Sequence, residues 1–151
     1  MSTIKQIFNT AGTATITLAS LTSGSGRAST NVDNSTGLYF SADIRVRVTT
    51  GTATATSYVE VFLIRSEDGS SYDDAFGGTD AAYTNVNALL LGTLSTPAST
   101  TAYSKVFDTA ELGLTLPARW CIGIVNRTGN TISATAGNHS VTYREKFIDI
   151  I

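Results

Sequence analysis

The stretch Ser57-Tyr58-Val59-Glu60-Val61-Phe62-Leu63-Ile64-Arg65 decides the fold class. In extended backbone, successive side chains point to opposite faces, and here both faces are apolar except at Glu60. A strand of that kind belongs in the middle of a sheet. A Thr-Ala tract, Gly51 to Thr56, leads into it. Ser66-Glu67-Asp68-Gly69 follows, an Asp-Gly turn signal that opens a long loop running to about Asn85, with Gly77-Gly78 at its middle.

Strand signals recur on either side, and helical periodicity is almost absent. Ala14-Thr15-Ile16-Thr17-Leu18 alternates strictly, with Ala14, Ile16 and Leu18 on one face. A Ser, Gly, Thr and Asn-rich loop, 22–37, separates it from a strand over Leu38 to Val48. There Phe40, Ala42, Ile44, Val46 and Val48 face inward, while Arg45 and Arg47 form a solvated outer face. Further strands are expected at 88–94, 102–108, 119–127, 131–134 and 140–148, and one helical turn within 109–116. Pro97 and Pro117 fall between strands, where a missing N–H does no harm. The expected fold is all-β: an antiparallel sandwich of roughly eight strands. A jelly roll fits better than an immunoglobulin-like sandwich, because the Cys-Trp-Cys signature of antibody domains is missing. The expected organisation is a short N-terminal arm, residues 1–12, before one sandwich domain, 13–151.

Composition narrows the function classes. The chain has 151 residues, 42% hydrophobic and 15% charged, with net charge −2, which suits one domain with an ordinary core. No basic block marks a nucleic-acid groove. No segment approaches the ~20 apolar residues of a membrane helix, and Met1 to Thr10 holds no apolar run suited to a signal peptide. Synthesis in a cytoplasm is therefore the expectation.

Single residues exclude more. Cys121 is the only cysteine and His139 the only histidine, so neither an intrachain disulfide nor a multi-cysteine zinc site can form. The apolar flanks Trp120 and Ile122 make Cys121 a buried residue, with Trp120, Ile122 and Ile124 on one core face. No G-x-S-x-G elbow accompanies His139, which reads as a strand-end histidine. The acidic residues Glu67, Asp68, Asp73, Asp74 and Asp80 share one loop, as a calcium site would require, but their spacing departs from an EF-hand. They read as a solvated turn, and nothing fixes two of them at the separation glycoside hydrolysis needs. No catalytic residue, cofactor or metal ligand is assigned. Tyr72, Phe76 and Tyr83 lie in or beside the long loop, as contacts to a neighbour, as sugar-stacking rings, or as rings buried where the loop packs on its own domain. Ile4, Ile7 and Phe8 place apolar side chains on the arm, which either joins the sheet of its own domain or docks on a partner.

Three patterns carry a resemblance. They are Val61 to Gly69 followed by Ser71-Tyr72-Asp73, the late strand Arg119 to Gly129 ending in Asn126-Arg127-Thr128-Gly129, and the terminal strand Asn138 to Arg144. Together, over about the last two thirds of the chain, these resemble the jelly-roll head decoration (cement) proteins of tailed bacteriophages. The resemblance implies a non-enzymatic virion component on the outer capsid surface. Its partner would be the major capsid protein, its assembly a homotrimer, and it would bind neither nucleic acid nor membrane. Contact through Ile4, Ile7 and Phe8 would strengthen the shell by adding an interface. The alternatives are another virion part (head fibre, neck or tail) and a jelly-roll carbohydrate-binding or receptor-binding module.

Overall fold

The two-faced apolar pattern of 57–65 becomes a central strand, Tyr58–Ser66. Val59, Val61 and Leu63 are buried between two sheets, and Phe62 and Ile64 are buried on the opposite face. The computed structural model describes residues 4–150, Ile150 by its backbone alone. Within them run β1 (Ile4–Phe8), β2 (Gly12–Thr13), β3 (Gly26–Ala28), β4 (Val32–Asp33), β5 (Ser41–Thr49), β6 (Tyr58–Ser66), β7 (Ala81–Tyr83), β8 (Leu89–Ser95), β9 (Ala102–Asp108), β10 (Arg119–Asn126) and β11 (Ser140–Ile150).

The first sheet has the order β1–β11–β5–β9, with β2 also on β11, and the second has β7–β3–β10–β6–β8, with β4 also on β10. All pairings are antiparallel. β1 and β2 are two pieces of one interrupted strand, as are β3 and β4. Counted so, eight positions alternate between the sheets except at the β6–β8 step, which stays within the second sheet, giving the winding of a jelly roll with β7 as an added edge. The eight-strand expectation is met, and the eleven segments reflect two interruptions and that edge.

The inner faces pack Ile44, Val46 and Val48 of β5 against Val59, Val61 and Leu63 of β6 and Trp120, Ile122 and Ile124 of β10. Trp120 stands edge-on to Tyr143, ring centroids 5.0 Å apart. Burying one such aliphatic side chain contributes about 1.5–3 kcal/mol, so this cluster supplies most of the drive to fold.

Several local expectations are corrected. Ala14 and Leu18 are buried as the alternation requires, yet 14–18 is extended chain without a ladder. It crosses between the sheets: the Ala14 N–H donates to Val141 O in one, and Thr15 O accepts the Thr30 N–H beside the other. The strand expected from Leu38 begins at Ser41, because the Asn34 side chain grips both the N–H and the carbonyl of Tyr39 and holds that segment as a turn. Leu38 is exposed with φ +50°, and Phe40 is also surface-exposed. Residues 131–134 form no strand: the Ile132 N–H reaches Leu21 O and the Ser133 N–H reaches Thr49 O, one bond to each of two different segments. The segment 109–116 is turn rather than helix, with the Leu114 N–H donating to Thr109 O.

Candidate interaction surface

His139 and Cys121 are both enclosed by the fold. His139 immediately precedes β11 and is buried; its Nδ1 accepts the Thr49 N–H at 3.3 Å and its Nε2 lies 2.9 Å from Ser133 O. Burial holds its pKa below the usual value, so it stays neutral and acts as a hydrogen-bonded strut. The Cys121 thiol is buried and pushed up to about 12 by desolvation, which removes its nucleophilic form.

Of the acidic loop residues, Glu67 is exposed and the other four accept from the chain's own backbone and side-chain donors. Asp68 accepts the N–H groups of Ser70 and Ser71, Asp73 pairs with Arg65 at 3.1 Å, and Asp80 pairs with Arg27 at 2.6 Å. Asp74 accepts the N–H groups of Val86, Asn87 and Ala88. Among the described residues, no group of three or more His, Cys, Asp or Glu is placed to hold a metal ion.

The expectation that Tyr72, Phe76 and Tyr83 meet a neighbour or a sugar is overturned. All three are buried, packed with Phe62, Ile64, Cys121 and Val125 in a second hydrophobic cluster on the outer face of the second sheet. Phe76 lies edge-on to both tyrosines, at 6.2 Å each. The stretch from Ser66 to about Asn85, expected as a long loop, holds a 3-10 turn at Asp73–Ala75 and the strand β7, and it folds back over its own sheet. The missed signal was the outward apolar pair Phe62 and Ile64, which required a cover.

Among the described residues the first sheet has no such cover on its outer face. Register places Thr142, Arg45 and Val106 in one row across β11, β5 and β9, and Ser140, Arg47 and Ser104 in the next. Ile44 and Val46 between them are fully buried, so these rows face outward. Arg144 lies in the row beyond, beside Asp43 and Asp108. Both aspartates are taken up by Lys146, at 2.5 and 2.7 Å. Burial works against that lysine's charge, but the hydrogen bonds to Asp108 and Asp43 outweigh it and raise its pKa. Among the described residues Arg45, Arg47 and Arg144 form no ion pair, so an exposed face of a net-negative chain carries surplus positive charge. Arg45 and Arg47 are legible in the sequence through their alternation with core residues, whereas Arg144 joins them only through the β11–β5 register.

Next to this face, β11 outruns its sheet. Pairing with β5 stops at Lys146–Ser41, while pairing with β1 continues from Phe8–Lys146 to Ile4–Ile150. The result is a two-stranded ribbon. The expected arm is thus a strand at home on its own sheet; residues 1–3 lie outside the described residues. Ile4 is 71% exposed, Phe8 46% and Ile148 59%, whereas Ile7 is half-buried on the other face, where Phe147 meets Tyr39 at 5.7 Å. Phe8 packs beneath the Arg144 guanidinium at 5.4 Å, which joins ribbon and arginine face into one surface. Apolar groups interleaved with arginine are the makings of a protein contact. Comparison with known protein families finds no matching family model, and comparison with curated proteins finds no match.

Proposed function

We propose that this protein is a non-enzymatic structural subunit of a tailed-phage virion that sits on the outer capsid surface as a head decoration protein. It docks through the arginine-bearing face of its first sheet. The observation that carries this reading is the difference between the two outer faces. The chain covers one with a second apolar cluster of its own and leaves the other bare, with three arginines and exposed Val106, Phe8 and Ile148. The engagement of Asp68, Asp73, Asp74 and Asp80 by the chain's own donors, and the burial of His139 and Cys121, favour binding over catalysis.

The physics of cementing needs no special residue. A subunit that binds assembled shell and not free capsid protein raises the free energy of disassembly by mass action. Arginine suits the task because its planar donors engage carboxylates in pairs and are weakly hydrated. With Tyr72, Phe76 and Tyr83 buried, a sugar-binding alternative would need other rings as its stacking platform.

The test is to purify the virions encoded with this chain and measure its copy number by quantitative mass spectrometry. A copy number that scales with the major capsid protein supports decoration. A few copies per particle would move the protein to neck, tail or fibre, and absence from particles would overturn the virion role altogether.

A further inference from the structure

β1 is the outermost strand of its sheet, and its free edge is self-complementary. The Asn9 N–H donates to Glu145 O at 2.8 Å, continuing the register in which Phe8 faces Lys146. In an antiparallel ladder, residues alternate between exchanging bonds with the partner and turning away from it. Lys5, Ile7 and Asn9 therefore spend their backbone groups on β11. Those of Ile4, Gln6 and Phe8 point out at the edge. The side chains of the same three residues share the outer face of the ribbon. Hydrogen-bonding groups and exposed apolar groups are thus both arrayed symmetrically about Gln6.

The other edges are blunted. On the far side of the same sheet, Lys105 Nζ of β9 donates to Thr93 O of β8 at 3.0 Å and stitches the two sheets together. In the second sheet, β7 is only three residues long. Short or bridged edges of this kind do not recruit another strand.

We infer that a second copy of this chain pairs with this edge, β1 against β1, antiparallel about a two-fold axis at Gln6. Ile4 then faces Phe8 of the partner subunit, Gln6 faces Gln6 of the partner subunit, and Lys5 faces Ile7 of the partner subunit. No like charges are opposed, and each exposed apolar side chain meets another. The outward N–H and carbonyl of Ile4, Gln6 and Phe8 are all satisfied. A two-stranded ribbon, marginal in water by itself, becomes half of a four-stranded one. The contact is isologous and closes on itself, so it yields a dimer rather than a fibre. A two-fold contact differs from the homotrimer that the resemblance implies. It rests on the edge strand and not on the virion reading, so either can fail alone.

Light scattering behind size-exclusion chromatography, run on the full chain over a range of concentrations, reads the assembly. The expected result is twice the chain mass, falling to one on dilution because the strand is short. Gln6→Pro removes an outward N–H while leaving the bonds of Lys5 and Ile7 to β11 intact, and an edge position tolerates proline. Ile4→Lys places a charge opposite Phe8 at a site already exposed. Both variants are expected to be monomers with an unchanged far-ultraviolet circular dichroism spectrum. A wild-type monomer at every concentration, a trimer, or a dimer that persists in both variants overturns the inference.

Discussion

The Tyr83 hydroxyl donates a 3.0 Å hydrogen bond to the Asp74 carboxylate. Together these residues close the 66–88 segment over the second sheet. Asp74 sits at φ +61°, a left-handed conformation that Asp and Asn tolerate better than other side chains. From there it collects the N–H groups of Val86, Asn87 and Ala88, just before β8 begins. One carboxylate thus ties the start of the excursion to its end, and Tyr83 ties it to the apolar cluster beneath.

Removing that carboxylate is expected to unlatch the segment. Asp74→Ala leaves backbone donors without an acceptor and should cost about 2–4 kcal/mol, since charge-assisted bonds are the strong ones. The expectation has a pH signature. Burial opposes the charge of Asp74, but its hydrogen bonds from Val86, Asn87 and Ala88 outweigh that and hold the pKa below 3.8. A depressed folded-state pKa gives stability that is present above the unfolded value and lost as pH falls through the folded one. Melting temperature should therefore drop steeply below about pH 4 in the wild type and less steeply in Asp74→Asn. Equal acid sensitivity in the two would refute the latch.

Gly123 lies at the centre of β10 for a steric reason. A Cβ there would stand 2.7 Å from Cε1 of the Tyr83 ring, so the absent side chain is the seat of the tyrosine. Gly123→Ala is expected to cost about 1–3 kcal/mol, the usual range for overpacking. The same substitution in a Tyr83→Ala background should cost much less, and denaturant melts of the four proteins in that cycle measure the coupling. Additive effects would show that the ring is not what the glycine accommodates.

These two residues also show what the sequence could and could not convey. The inward faces of β5, β6 and β10 were legible because strict alternation and two-sided apolar runs report burial directly. Gly123 was hidden inside the apolar run Trp120 to Val125, where a glycine has no periodic signature. Tyr72, Phe76 and Tyr83 read as loop residues because their burial depends on a long-range return of the chain over Phe62 and Ile64. The arginine face was half legible: Arg45 and Arg47 alternate with core residues, but Arg144 joins them only through strand register. The ribbon needed the same information, since Ile4 and Ile148 come from opposite ends of the chain.

Glu145 carries a pH dependence of opposite sign. It is buried on the inner face of β11, where Oε2 accepts from Asn9 Nδ2 at 3.2 Å and Oε1 has no partner among the described residues. Burial, then the charge of Asp33, raise its pKa above 4.5, against the lowering effect of the Asn9 bond. A carboxyl with a raised folded-state pKa binds its proton more tightly when folded, so its penalty is greatest above that pKa and fades as pH falls toward the unfolded value. Glu145→Gln keeps an acceptor for Asn9 and removes the charge. It is expected to raise the melting temperature at pH 7 and to leave it nearly unchanged at pH 4. A variant less stable than wild type at pH 7 would show that the carboxylate is needed as an anion.

Charge reversal on the bare face tests the docking surface itself. Arg45, Arg47 and Arg144 are exposed and make no ion pair among the described residues, so replacing Arg45 or Arg47 should change fold stability by no more than about 0.5 kcal/mol each, while Arg144→Glu costs more because it loses the Phe8 contact and faces Asp43. Binding is another matter. Against an acidic partner, the triple variant Arg45→Glu, Arg47→Glu and Arg144→Glu turns attraction into repulsion and should weaken association with purified particles more than about tenfold. Because screening acts over roughly 8 Å at physiological ionic strength, wild-type affinity should fall as salt rises and the variant's residual affinity should not. Thr56→Glu, in the exposed linker before β6, adds negative charge away from the face and should bind as wild type does. If the triple variant binds particles with undiminished affinity and the same salt dependence, the arginine face is not the docking surface. Exposed Val106, which shares a row with Arg45, then sets the apolar share of the contact: Val106→Asp should weaken binding at high salt as well as low, where arginine's contribution has been screened away.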